Sequence, residues 1–173
     1  MRKKLKHIDH CIFDLDGVLV DTAKFHFIAW AEIANTLGFT LSSSLNESLK
    51  GIARKESLHK ILDWAGKELD PREMDTLLEQ KNTLYLSQIA SLTTSALLPG
   101  SHETLEYLKG IKVKISLGSA SKNAKFIIKQ LQIENYFDCI IDGTMVTRPK
   151  PDPEVFLKAC HRLGMPVFKT CVF

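Results

Sequence analysis

A short apolar run, Ile8 to Phe13, empties into Asp14-Leu15-Asp16-Gly17, so two carboxylates fall where a buried strand would pass into a loop. In an open parallel sheet that junction is where ligands bind. Side chains two apart on a strand point the same way, but a chain that turns after Asp14 brings the pair to one small volume from different sides. Gly17 makes such a turn accessible to the backbone. Two carboxylates so placed can divide labour: one, ionised and near a divalent cation, is a nucleophile toward phosphorus, while the other carries a proton to or from the substrate oxygen. For an isolated pair the plainer reading, loop chemistry with Asp21 and Thr22 capping the next helix, would win.

At 173 residues and 45% hydrophobic, the chain can bury the core of one domain with a modest insertion. Its net charge of +3 is concentrated in the opening MRKKLK, which reads as a solvated tail, and no basic stripe elsewhere suggests nucleic acid. The apolar stretch that follows is interrupted by Asp9, Asp14 and Asp16, unlike a secretory signal, and no run is long enough to cross a bilayer. Cys11, Cys139, Cys160 and Cys171 form no CxxC pair and read as free core thiols of a cytoplasmic protein. His7 and His10 lack a partner cluster for a metal and read as surface or strand-edge residues.

The pattern predicts a helix over Ala23 to Leu37, stopped at Gly38, with His26 and Trp30 on one face. His26 either packs there or meets Asp16 or a substrate hydroxyl. Gly51 and Ile52 fall in a break before Arg54, which suits either a phosphate held on backbone and guanidinium or a helix stop and a surface cation. A helix over Lys55 to Ala65 stops at Gly66, and Asp70-Pro71-Arg72-Glu73 opens another reaching about Ala90, on which Lys81 is by default solvated. No convincing strand lies between Thr22 and Leu97. Residues 22–96 therefore read as a helical cap inserted into a core of 1–21 and 97–173.

A helix over Ser101 to Lys109, a strand over Val113 to Gly118 and a helix opening at Ser119 to Asn123, with Ser121 as cap, resume the sheet. That helix start offers either a phosphate site or capping alone. Tyr136 to Asp142 reads as a third strand. After it, prolines stiffen a loop that could hold Lys150 against a phosphate and Asp14, or leave it in solvent. A helix over Pro153 to Leu163 precedes a fourth strand, Lys169 to Phe173.

The string FDLDGVLVDT resembles the first motif of the haloacid dehalogenase superfamily, DxDGxxxDT, and KPDPEVF resembles its third. The resemblance implies an α/β, haloacid dehalogenase-like Rossmannoid core with a parallel sheet and an inserted α-helical cap. It also implies Asp14 as nucleophile, Asp16 as general acid/base, both as ligands of Mg²⁺, Ser119 on the transferring phosphoryl group, and Lys150 beside it. Pro149, where many relatives carry a small residue, is a departure. Within the superfamily, DTAKFHFIAW, NESLKGIARKESLHKIL, LEQKN and GSASKNA are similar to the β-phosphoglucomutases. That likeness implies Gly51, Ile52 and Arg54, with Ala120, Ser121, Lys122 and Asn123, around the sugar and its non-transferring phosphate. His26 would help place Asp16, and Lys81 would contact the sugar.

The implied partners are a hexose phosphate and a hexose bisphosphate, in a reaction converting β-glucose 1-phosphate to glucose 6-phosphate. A sugar-phosphate phosphatase on the same scaffold is the alternative, and a catalytically impaired binding fragment a third. The third arises because the sequence stops at KTCVF, where relatives continue into an acidic ED or DD pair. The last part of the core is thus expected to be missing, with weaker metal binding and apolar surface exposed on strand four and the first helices.

Overall fold

A computed structural model describes residues 7–173, so the basic tail MRKKLK lies outside the described residues. In chain order the elements are β1 (His10–Phe13), α1 (Ala23–Thr36), α2 (Ser43–Glu47), α3 (Arg54–Ala65), α4 (Pro71–Ile89), α5 (Ser101–Gly110), β2 (Lys114–Gly118), α6 (Ala124–Gln130), β3 (Cys139–Ile141), α7 (Glu154–Leu163) and β4 (Thr170–Val172). They group into two compact units, Met1–Asp21 with Leu92–Phe173, and Thr22–Ser91.

Among the described residues the first unit holds four strands, all parallel, in the order β3-β2-β1-β4. Strand β1 is wholly buried and paired on both sides, as its run of apolar side chains requires of a central parallel strand. Ile12 packs with Cys139, Ile141, Val155, Ala159 and Cys160, which puts α7 over one face of the sheet. The strands are shorter than expected. Tyr136 lies in a 3-10 turn, Glu134–Tyr136, because the Asp138 carboxylate takes the Ile115 N–H and delays ladder pairing to Cys139. On and beside β4 the chain exposes Val167, Phe168, Val172 and Phe173, with Phe168 84% accessible.

His10 is fully buried rather than at the surface. Its Nε2 lies 2.7 Å from Ser116 Oγ and its Nδ1 3.2 Å from Thr170 Oγ1, whose own proton goes to the Pro166 carbonyl. Nδ1 is therefore the donor and Nε2 the acceptor, and burial holds the ring's pKa below its usual value, with Asp138 partly opposing.

The second unit is helical throughout. Asp70 and Glu73 complete the capping box that starts α4, and Gly66 ends α3 in the left-handed conformation at φ 61°. Its core is built from Trp30, Ile33, Ala34, Leu41, Leu49, Leu58, Ile61 and Leu62. Among the described residues, no helix is long and apolar enough to cross a membrane.

Candidate active site

Asp14 is the first residue past β1, and its position is fixed by main chain. Its N–H donates to the Phe173 carbonyl at 3.0 Å, and its Oδ1 accepts the Leu15 N–H at 2.8 Å. The other oxygen, Oδ2, meets Lys150 Nζ at 2.7 Å, with the two side chains 30% and 17% accessible. Gly17, at φ 81°, turns the chain so that its N–H reaches the Val20 carbonyl at 2.8 Å and Asp16 bridges Val20. Asp16 is half-buried in that turn.

Lys150 is presented by a loop whose anchor the sequence reading missed. Glu154, 7% accessible, accepts the Thr147 N–H at 3.1 Å, the Thr147 hydroxyl at 3.1 Å and the Arg148 N–H at 2.6 Å, and pairs with Lys158 at 2.5 Å. Its own N–H donates to Asp152 at 2.9 Å. Hydrogen bonding from Lys158 first, then from the Arg148 and Thr147 amides, against the cost of burial, pulls its pKa down to about 2. The position of Glu154 inside KPDPEVF was the available signal. Lys150 Nζ also sits 4.9 Å over the Phe156 ring, so two contacts set its head group.

Ser119 is buried at the end of β2, and its Oγ accepts the Ser121 N–H at 3.0 Å, which leaves its own O–H to donate. Ser121 is not the helix cap. Its hydroxyl accepts the Asn123 N–H at 3.2 Å, and α6 begins only at Ala124 with Asn123 in the capping position, because two successive serine turns delay the helix. Lys122 is exposed and Asn123 half-buried. The loop is closed by Gly143, unnoticed in the sequence, whose N–H reaches the Ser121 carbonyl at 3.2 Å. A Cβ on Gly143 would overlap the Ala120 carbonyl.

In the helical unit Lys81 is buried at 2% accessibility, not solvated. Its Nζ lies 2.8 Å from His26 Nδ1 and 4.9 Å and 4.6 Å over the Trp30 and Tyr85 rings, and the His26 ring stacks on Tyr85 at 4.1 Å. An ammonium has only donors, so Nδ1 accepts and the imidazole proton sits on Nε2. Burial first, then the charges of Lys81 and Arg54, drives the His26 pKa down to about 3. Arg54 opens α3 half-buried, and burial lowers its pKa. Gly51 is exposed at φ 76°, while Ile52 packs onto the helical core.

Asp14 and Asp16 are hard oxygen donors, and that donor type suits Mg²⁺, which takes one or two protein carboxylates and fills its six-fold shell with water and phosphate oxygens. Among the described residues no group of three His, Cys, Asp or Glu side chains gathers.

Residues 8–173 match the family described as haloacid dehalogenase-like hydrolase. The chain is 44% identical over 156 residues to the β-phosphoglucomutase of Bacillus subtilis strain 168, covering 89% of this chain and 69% of that protein. The crystal structure of β-phosphoglucomutase from Clostridium difficile superposes with a TM-score of 0.92 at 39% identity, over 95% of this chain and 75% of that one. A phosphorylated carbohydrates phosphatase of Thermotoga maritima is 27% identical over 164 residues, 94% of this chain and 74% of that protein.

Proposed function

The chain belongs to the haloacid dehalogenase-like hydrolases, and from that premise we propose that it is a Mg²⁺-dependent phosphosugar mutase converting β-glucose 1-phosphate to glucose 6-phosphate. The observation that carries this reading is the pairing of Asp14 Oδ2 with Lys150 Nζ at 2.7 Å at the carboxyl end of β1. Similarity to two β-phosphoglucomutases supports the choice of reaction.

On this reading Asp14 Oδ2 attacks the phosphorus of β-glucose 1,6-bisphosphate. The phosphorus–oxygen bond to one sugar hydroxyl breaks, and Asp16 gives that oxygen its proton. With the bond to the C1 oxygen broken, glucose 6-phosphate leaves, and the 6-hydroxyl of an incoming β-glucose 1-phosphate attacks the aspartyl phosphate while Asp16 takes its proton, which regenerates the bisphosphate and frees Asp14. Lys150 and the Ser119 hydroxyl stabilise charge on the transferring oxygens. Asp14 and Asp16 would hold Mg²⁺, which when bound offsets the repulsion between carboxylate and phosphoryl group. Gly51, Ile52, Arg54 and Lys81 would bind the sugar and its second phosphate, with Ala120, Ser121, Lys122 and Asn123.

The test is ³¹P NMR of the chain with Mg²⁺, β-glucose 1-phosphate and a trace of glucose 1,6-bisphosphate. Glucose 6-phosphate that disappears in Asp14→Asn is the expected result. Inorganic phosphate as the main product would replace the mutase by a phosphatase, the activity named for the Thermotoga maritima relative. Neither product would sink both.

A further inference from the structure

Cys11 of β1 and Cys171 of β4 are register partners in the parallel ladder. Neighbouring strands lie about 4.7–4.9 Å apart, inside the Cα separation of about 4.4–6.8 Å that a disulfide spans. Partners in such a ladder point to the same face. That face is marked two residues further on, where Phe13 and Phe173 stack with ring centroids 4.8 Å apart. His10, Ile12 and α7 occupy the opposite face, so Cys160, whose Sγ lies 3.6 Å from Thr170 Oγ1 and 4.0 Å from His10 Nδ1, is on the wrong side of the sheet to compete. Cys139 sits in β3, beyond β2. All four thiols are free.

We propose that Cys11 and Cys171 are a redox-modifiable pair, closing reversibly into a cross-strand disulfide when a low-molecular-weight disulfide is the oxidant. Cys171 is half-buried on β4, whereas Cys11 on the neighbouring β1 is wholly enclosed, which fixes the order of events. The Cys171 thiolate attacks the small disulfide, forming a mixed disulfide and releasing one small thiol. The Cys11 thiolate then attacks Cys171 Sγ, releasing the second. One small disulfide is reduced by two electrons, two protein thiols are oxidised, and the two protein protons leave on the released thiols. Burial, with a smaller contribution from Cys171, raises the Cys11 thiol to about 11, so closure is slow near neutrality and faster in alkali.

The Cβ vectors of parallel partners run side by side rather than converging, so the bond must draw the strands together. A strained bond of this kind is readily reduced. The movement has a direct route to Asp14, three residues beyond Cys11, whose N–H is held by the carbonyl of Phe173, two residues beyond Cys171. Oxidation therefore displaces the residue that the proposed mutase uses as its nucleophile. Only this last consequence rests on that functional reading; the disulfide does not.

The full chain is treated with oxidised glutathione at mildly alkaline pH, remaining thiols are alkylated, and peptides are mapped without reduction. The expected result is a Cys11–Cys171-linked peptide lighter than its two parts by two hydrogens, released by dithiothreitol and absent from Cys171→Ser. A chain carrying only a glutathione adduct on Cys171, or one cross-linked through Cys160, overturns the pairing. In the ³¹P assay, oxidation is expected to lower turnover about tenfold or more in the parent but not in Cys171→Ser, because displacement of a reacting group by one ångström can cost about a hundredfold. Equal loss in both proteins overturns the link to Asp14. A chain with no turnover at all fails the mutase reading while the peptide map still decides the disulfide.

Discussion

Lys150 and Lys81 are both lysines of interest, held in opposite ways. Lys150 comes from a loop whose backbone is tied down by Glu154, and its ammonium meets a partly accessible carboxylate at the carboxyl end of the central strand β1. Lys81 comes from the middle of a helix, is buried, and faces a neutral imidazole and two aromatic rings. In the α/β unit the main chain sets the reactive groups. In the helical unit the packing of side chains distant in sequence does so. The first arrangement places charge where a substrate anion can reach it at little cost in desolvation. The second lowers the proton affinity of its neighbours, because burial and like charge both disfavour another cation.

The largest effect that would sharpen this contrast is on turnover. Lys150→Met should lower kcat/KM by about 10²–10³, the loss typical of one preorganised donor, while leaving the melting temperature nearly unchanged, since a partly exposed ion pair adds little stability. A large fall in melting temperature with turnover retained would reverse the assignment of Lys150 to chemistry.

Next comes the main chain itself. Gly143→Ala forces a Cβ against the Ala120 carbonyl and should destabilise the fold by about 1–3 kcal/mol, the usual cost of overpacking. KM for the phosphorylated substrate should also rise, as the Ser119–Ser121 turn shifts. If KM and thermal midpoint both stay at parent values, this turn is not set by the close approach of Gly143.

The smallest effect lies in the helical unit and is read by pH. Unfolded His26 takes its proton near 6.5, whereas the folded ring does so only at about 3. The unfolded state therefore binds more protons between those values. The contribution of His26 to stability is complete above about pH 6.5 and is lost as pH falls toward 3, with a limiting slope of about 1.4 kcal/mol per unit. Lys81→Met removes the second cause of the shift and leaves burial and the Arg54 charge, so the NMR-titrated pKa should recover only part of the way. Full recovery would mean that charge outweighs burial. His26→Gln should flatten the acid limb of urea-unfolding stability, leaving the part due to His10, whose pKa is lowered in the same direction.

Much of the fold was legible because its signals are local. Gly66 ends α3, Asp70 and Glu73 cap α4, and an apolar run precedes Asp14, each within a few residues of the element it defines. The errors came where local propensity met a distant partner. Ser121 looked like a cap but instead receives the Asn123 amide, and its carbonyl meets Gly143. His10 looked exposed, yet Ser116 and Thr170, brought in by the two neighbouring strands, satisfy both ring nitrogens. Glu154 lay inside a quoted motif but showed its role only when the loop folded back onto it.

By itself the sequence determined the strand that delivers Asp14 and Asp16, the glycine turn that follows them, the helical content of the second unit, and the family. These depend on residue type and short spacing, which survive without a third dimension. Tertiary structure alone decided that Lys81 is buried against His26, that Cys11 faces Cys171, and that the Asp14 amide is held by Phe173. Each joins residues far apart along the chain, and such pairs are fixed by sheet register and helix packing, which no short stretch of sequence encodes.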